Sequence, residues 1–322
     1  MSTKERILHL LKATPDVFSG QKIAEELNIS RTAVWKAIKE LEKQGYHFAH
    51  EATGYRYIPT DILEPKEIEQ SLKTQLSDFS VQYAASSVST MDDAKMAILQ
   101  NKTTPTLFLA DMQTGAHGRF NRPFFAERGH GIYMSLLIHP DKSFSELPNY
   151  TVIAASACAL AIEGCTGKST EIKWVNDIFI GKKKVAGILS EAVSDMETGH
   201  IKHVIIGMGI NFSIPQTNYP QDLQDKVTSI YPDEQIDGTR NQLIFTIWRN
   251  FFNYLADLPK TDYLDIYRKK SIVLNKKVTF IQQNKTYQGI ATAITDQGEL
   301  VVQLKDQKKI LSSGEISLSS YT

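Results

Sequence analysis

The hydrophobic period changes twice along this chain, and those changes restrict its fold more than any single motif does. From about residue 66 to 270, apolar runs of strand length alternate with longer runs of helical period. Candidate strands cover residues 107–111, 131–138, 171–174, 185–192 and 203–212. Candidate helices cover 92–100, 150–164 and 239–255. Alternation of this kind implies a mixed α/β (α+β) domain in which helices cover a sheet. Before it, short helical patterns lead into an alternating segment that turns at Thr53-Gly54, as a β-hairpin should. After it, short strands are split by Gln283-Asn284-Lys285, Asp296-Gln297-Gly298 and Lys305-Asp306-Gln307, which predicts a small all-β barrel. Pro59 and Pro65 flank a linker. The expected domains are 1–62, 66–270 and 271–322.

A chain of 322 residues with 42% apolar composition can bury two or three cores. Its 36 basic and 36 acidic residues cancel, so any nucleic-acid site must be a local patch. The charged start, Met1 to Arg6, is followed by no apolar run of signal-peptide length. The most apolar stretch, 154–162, is too short to span a bilayer. Cys158 and Cys165 lack CxxC spacing, and Cys158 sits in an apolar helical run as a small hydrophobe. These features predict a soluble, cytoplasmic protein with no membrane partner.

Residues 19–41 carry a helix-turn-helix pattern. Ser19 can cap a helix whose Ile23, Ala24 and Leu27 face inward, and Asn28-Ile29-Ser30 makes the turn. Ser30 can cap the next helix, where Val34, Ala37, Ile38 and Leu41 share one face. The opposite face carries Thr32, Lys36, Lys39 and Lys43, with Arg31 and Trp35 on its shoulder. An apolar back and a cationic front suit the major groove of DNA, with the lysines on phosphates and Arg31 and Thr32 within reach of base edges. Arg56, on the return strand of the hairpin, would belong to the wing.

Four central segments combine ligand-binding features. Residues 86–95 offer the hydroxyls of Ser89 and Thr90 at a helix start. Residues 113–122 interleave Gly115 and Gly118 with His117, Arg119 and Arg122, so backbone and cations can approach an anion together. Lys173-Trp174-Val175-Asn176-Asp177 precedes Lys184-Val185-Ala186-Gly187, and Gly207 to Asn211 forms a glycine-relieved strand with a polar end. Residues 164–169 contain Gly167-Lys168-Ser169 but lack the glycine spacing of a phosphate-binding P-loop.

In order and spacing these blocks resemble the bifunctional biotin–protein ligase and biotin-operon-repressor family over essentially the whole chain. The resemblance includes Ser30 to Lys36, Gly54-Tyr55-Arg56 and the terminal Gly314-Glu315-Ile316-Ser317-Leu318. It implies a winged helix-turn-helix, a class II synthetase-like central domain and an SH3-like C-terminal barrel. It further implies that biotin and ATP give biotinyl-5′-AMP, from which a lysine of a biotin carboxyl carrier domain takes the biotinyl group. Arg119, Lys184 and Asp177 would be catalytic by this resemblance. Biotin or its adenylate would contact Ser89, Thr90, Met91, Gln113, Gly115, His117, Gly118, Arg119, Trp174, Lys184, Gly187 and Asn211. Operator DNA would meet Ser19, Ser30, Arg31, Thr32, Trp35, Lys36, Lys39 and Arg56. Mg²⁺ would arrive on ATP, with no protein metal site, and the adenylate would act as corepressor of a homodimer. The chain departs from the family pattern at Ala116 and His117 in the glycine-rich loop, at Val175 for proline and at Met91 for asparagine. A lipoate-type acyl–protein ligase and a ligand-sensing repressor without ligase activity remain alternatives at this point.

Overall fold

The computed structural model describes residues 2–101, 105–147, 149–195, 197–233, 236, 238–260 and 262–318. The last four residues of the expected C-terminal domain, 319–322, lie outside them. The chain divides into two compact units, Met1–Ile62 and Leu63–Thr322.

In the first unit, helices α1 (Thr3–Lys12), α2 (Gly20–Leu27) and α3 (Arg31–Lys43) precede an antiparallel hairpin of β1 (His47–Glu51) and β2 (Gly54–Ile58). Ser19 Oγ accepts the Lys22 N–H and Ser30 Oγ accepts the Ala33 N–H, so both serines cap as the sequence predicts. Asn28 ends α2 in the left-handed conformation that makes the turn. Ile7, Ile23, Val34 and Ile38 are fully buried at the centre of this unit.

The second unit opens with α4 (Pro65–Lys73), so Pro65 begins a helix rather than closing a linker. There follow β3 (Ser80–Ala84), α5 (Thr90–Leu99), β4 (Thr106–Ala110), β5 (Gly131–Ile138), α6 (Tyr150–Thr166), β6 (Glu171–Lys173) and β7 (Asp177–Ile180). Next come β8 (Lys183–Ser194), β9 (Ile201–Asn211), α7 (Arg240–Ala256) and α8 (Asp262–Lys270). These strands make a seven-stranded sheet in the order β3-β4-β5-β9-β8-β7-β6, parallel between β3 and β4 and antiparallel elsewhere.

Alternation along each strand sorts side chains between the two faces of the sheet. Leu136, Met134, Val204, Ile206 and Met208 join α6 and α7 in the main core. Phe108, Leu137 and Ile205 point the other way and pack on Met91, Ala94 and Ala97 of α5. Because α5 is short, it leaves the ends of β5, β8 and β9 uncovered on that face, and the site lies there. Helix α6 is apolar all round because it is sandwiched between the sheet, α7 and α8. Cys158 is fully buried there, which pushes its thiol up to about 12.

The C-terminal strands are β10 (Lys277–Gln282), β11 (Lys285–Ile294), β12 (Leu300–Gln303), β13 (Lys308–Leu311) and β14 (Ile316–Leu318). They form a five-stranded antiparallel sheet ordered β13-β12-β11-β10-β14; no pairing between β13 and β14 closes it among the described residues. Val278, Ala291 and Leu300 share the main core of the second unit. Trp174 Nε1 donates to the Gly298 carbonyl at 3.0 Å, and the Ile272 N–H donates to the Ile172 carbonyl. The small sheet is thereby fastened to the segment that carries Asn176 and Asp177. No helix among the described residues is long and apolar enough to cross a membrane.

Candidate active site and DNA-facing surface

The uncovered part of the central sheet forms the floor of a cavity of about 260 Å³. Gly187, Gly207 and Gly209 lie on its wall, where side chains would fill it. A Cβ on Gly209 would stand 2.5 Å from the Phe124 ring, and one on Gly207 would stand 2.6 Å from the Met91 sulfur.

One end of the cavity is built from uncharged polar groups that are almost completely buried. Ser89, Thr90 and Gln113 line it, with Met91 beside them. The Thr90 N–H donates to Gln113 Oε1 at 2.7 Å, which leaves the Gln113 amide NH₂ for other partners. The Thr90 hydroxyl lies 2.8 Å from that of Ser135, a fully buried residue in the middle of β5. Ser89 precedes α5 in extended conformation without making a side-chain cap bond. Sequence reasoning assigned Ser135 no part; its only signal is one small polar residue in an otherwise apolar and aromatic octet.

The opposite end is charged. Arg119 and Lys184 line the same cavity, together with Asp177, Asn176, His117 and Gly118. Lys184 Nζ stands 2.7 Å from Asp177 Oδ1 across the β7–β8 hairpin. Arg119 Nη1 donates to Asn176 Oδ1 at 3.3 Å, and Asn176 Nδ2 donates to the Ile188 carbonyl. Burial lowers the Arg119 guanidinium from its ordinary value, and the charges of Asp177 and Glu315 oppose that shift. A partly desolvated cation whose charge is incompletely answered is suited to an anionic ligand.

The loop bearing Arg119 is tightly folded. The Gly118 N–H donates to the Arg122 carbonyl, and Phe120 and Asn121 both adopt positive φ, 56° and 55°. Arg119 and Arg122 flank the exposed Phe120 ring. Arg122 makes a two-pronged ion pair with Glu315, at 2.7 and 2.5 Å, ahead of β14. Hydrogen bonding to Arg122 holds the Glu315 carboxyl below the usual carboxylate range. Gly314 and Glu315 also line the cavity, so the C-terminal sheet contributes to it.

The remaining predicted residues divide between wall and support. Trp174 and Asn211 are buried lining residues, and Asn211 Nδ2 donates to the Thr228 carbonyl. Gly115 is not in the wall; its N–H donates to the Val88 carbonyl and ties two loops together. The fully buried Tyr267, which the sequence did not single out, donates its hydroxyl to the Val175 carbonyl beside Asn176. Lys168, just beyond the end of α6, donates to the Ile230 carbonyl. Among the described residues, no group of three or more His, Cys, Asp or Glu converges on a metal position.

In the first unit, Ser19, Arg31, Thr32 and Trp35 border a concave surface between the N-terminal end of α3 and the hairpin. Ser30 serves as the helix cap rather than as part of that border. Lys36 lies outside the border, Lys39 bonds to Glu42 at 2.8 Å, and Arg56 bonds to Glu51 at 2.9 Å. The exposed half of the Trp35 ring is the largest apolar element of this face.

Helix-turn-helix and acyl–protein ligase architectures therefore occur in one chain, which defines a class of ligase with a DNA-binding domain. Residues 3–56 match the HTH domain family, 83–211 the biotin/lipoate A/B protein ligase family, and 273–319 the biotin protein ligase C-terminal domain. The bifunctional ligase/repressor BirA of Bacillus spizizenii is 34% identical over 98% of this chain and 98% of its own length. Its counterpart in Escherichia coli is 25% identical over 96% and 95%. The chain belongs to the bifunctional ligase/repressor family. A solved biotin protein ligase from Aquifex aeolicus, in complex with biotin and ATP, shares the fold with a TM-score of 0.62. It is 24% identical and covers 74% of this chain and 97% of its own.

Proposed function

We propose that the second unit condenses biotin with ATP to biotinyl-5′-AMP and passes the biotinyl group to a lysine of a biotin carboxyl carrier domain. The observation that carries this reading is the polarity of one cavity: neutral hydrogen-bonding groups at one end, Arg119 and Lys184 at the other. Ser89, Thr90 and Gln113 suit a ureido ring, whose buried polar atoms each need a partner. Trp174 and the flanking apolar wall suit the valeryl chain.

In the first step the carboxylate oxygen attacks the α-phosphorus of ATP and pyrophosphate leaves. Two anions must approach each other, and Arg119 and Lys184 offset their repulsion where water is scarce. Mg²⁺ arrives on the ATP phosphates and supplies further charge neutralisation. In the second step the carrier amine attacks the acyl carbon and AMP leaves. A lysine amine at pH 7 requires roughly 4.6 kcal/mol to deprotonate. Asp177, 2.7 Å from Lys184 Nζ, would orient the amine or accept its proton.

The first unit binds operator DNA, and the adenylate acts as corepressor of a cytoplasmic homodimer. Ordering of the loop at 113–122 over the adenylate couples the two activities. This reading keeps three functional domains, 1–62, 66–270 and 271–322.

Incubation with biotin, ATP, Mg²⁺ and an isolated carrier domain tests the assignment by intact mass. The expected result is one biotinyl addition to the carrier and release of pyrophosphate. A lipoyl addition in competition would shift the substrate class, and an unmodified carrier without pyrophosphate would reject the ligase reading. Operator retention that rises when biotin and ATP are both present tests the repressor part.

A further inference from the structure

Ser135 is the one polar residue facing the α5 side from the middle of β5, and no solvent reaches it. A buried hydroxyl that donates to nothing costs about 1–3 kcal/mol, so its proton needs an acceptor. The Thr90 hydroxyl at 2.8 Å is its side-chain partner. On the other side, the space above Gly207 is occupied by the Met91 thioether, a weak acceptor. The backbone carbonyls beside Ser135 lie in the plane of the sheet, where β5 pairs with both β4 and β9. Both residues border the cavity, but Ser135 has no exposed surface, whereas Thr90 retains slight exposure at the first turn of α5.

We infer that Ser135 is a positioning residue that fixes the direction of a two-hydroxyl relay: its O–H donates to Thr90 Oγ1, and the Thr90 O–H points into the cavity as a donor. The neighbouring amide adds donors of the same polarity: Gln113 turns Oε1 to the Thr90 N–H, and its NH₂ carries two further N–H donors. Two donors then converge on one position, and the group accepted there is a carbonyl oxygen. An N–H at that position would face donors. Ser135 therefore selects for the ureido C=O of the ligand without touching it. The inference rests on the ligand assignment above and adds the residue that sets the polarity of its head-group subsite.

Calorimetric titration of the full chain with biotin and with 2-iminobiotin, in which C=NH replaces the ureido C=O, tests it. Ser135→Ala should weaken biotin about tenfold and leave 2-iminobiotin unchanged or tighter, so the preference for biotin falls at least tenfold. Ser135→Cys keeps the volume and weakens the donor, and should move the same ratio where the alanine variant does not fold. Thr90→Val should erase the effect of Ser135→Ala, the double variant binding biotin no worse than Thr90→Val alone. Equal losses for both ligands, or losses that multiply in the double variant, would assign Ser135 a structural role only and overturn the inference while biotin binding stands. An unsubstituted chain that binds no biotin would overturn the ligand assignment and this inference together.

Discussion

At the scale of single residues, the site depends on atoms that are missing as much as on those present. A Cβ on Gly187 would lie 3.0 Å from Lys184 Nζ and 3.2 Å from its Cε. The obstacle is the far end of a flexible side chain, so Gly187→Ala should leave the fold intact while displacing the ammonium. The expected loss is about tenfold in kcat/KM for pyrophosphate release, equivalent to roughly 1.4 kcal/mol of transition-state stabilisation. Thermal melting should be unchanged. An unaltered rate would show that the lysine does not need its present position. The charged end of the site was legible in the sequence because glycines and cations cluster within short segments. Ser135, Tyr267 and Glu315 were not given roles, since each acts across a distance in sequence that only the fold closes. Ser135 meets a threonine 45 residues away, and Glu315 meets an arginine 193 residues away.

At the scale of elements, local signals and context carried different weight. The two serine caps of the helix-turn-helix were readable because capping is a local hydrogen bond. Replacing Ser30 with alanine should destabilise the first unit by about 1 kcal/mol, whereas Ser30→Gly should cost only a few tenths. Denaturant unfolding followed by Trp35 fluorescence measures both. Equal losses for the two variants would show that the Ala33 N–H does not depend on the cap. Strand β5 was read with its observed bounds, because it is buried on both faces and apolar at every position but Ser135 and the Tyr133 hydroxyl. One edge strand was missed: β3 is half-buried and carries mixed side chains. Helix α8 is short and polar, and its buried Tyr263, Leu264 and Tyr267 are too few to impose a period. In α4, Pro65 was read as a breaker because proline at the first helical position is recognised only when the rest of the helix is.

At the scale of the molecule, the second unit is one core shared by two sheets, and ion pairs at its seams answer to pH. Glu163 of α6 is an example. Burial would raise its carboxyl, but the Lys270 ammonium and the Thr170 N–H outweigh burial and hold it below its ordinary value. A depressed carboxylate contributes stability above its unfolded pKa of about 4.3 and loses it as pH falls through the lower folded value. Glu163→Gln should therefore lower the melting temperature of the second unit at pH 7 by about 5 °C, the effect expected when Lys270 loses its counter-charge in a partly buried place. The gap between variant and parent should narrow as pH is taken below 4. Scanning calorimetry across that range would show it, and a gap independent of pH would mean that the carboxylate is not what Lys270 requires.

The bare stretch of sheet at Gly207 and Gly209 has a consequence for what the cavity can admit. The Phe124 ring and the Met91 thioether lie directly over these glycines, so the missing side chains make room for those two residues and not for a ligand layer beneath them. Shortening either side chain should bare that floor and broaden the range of acyl groups accepted, whereas enlarging either glycine would displace the side chain above it.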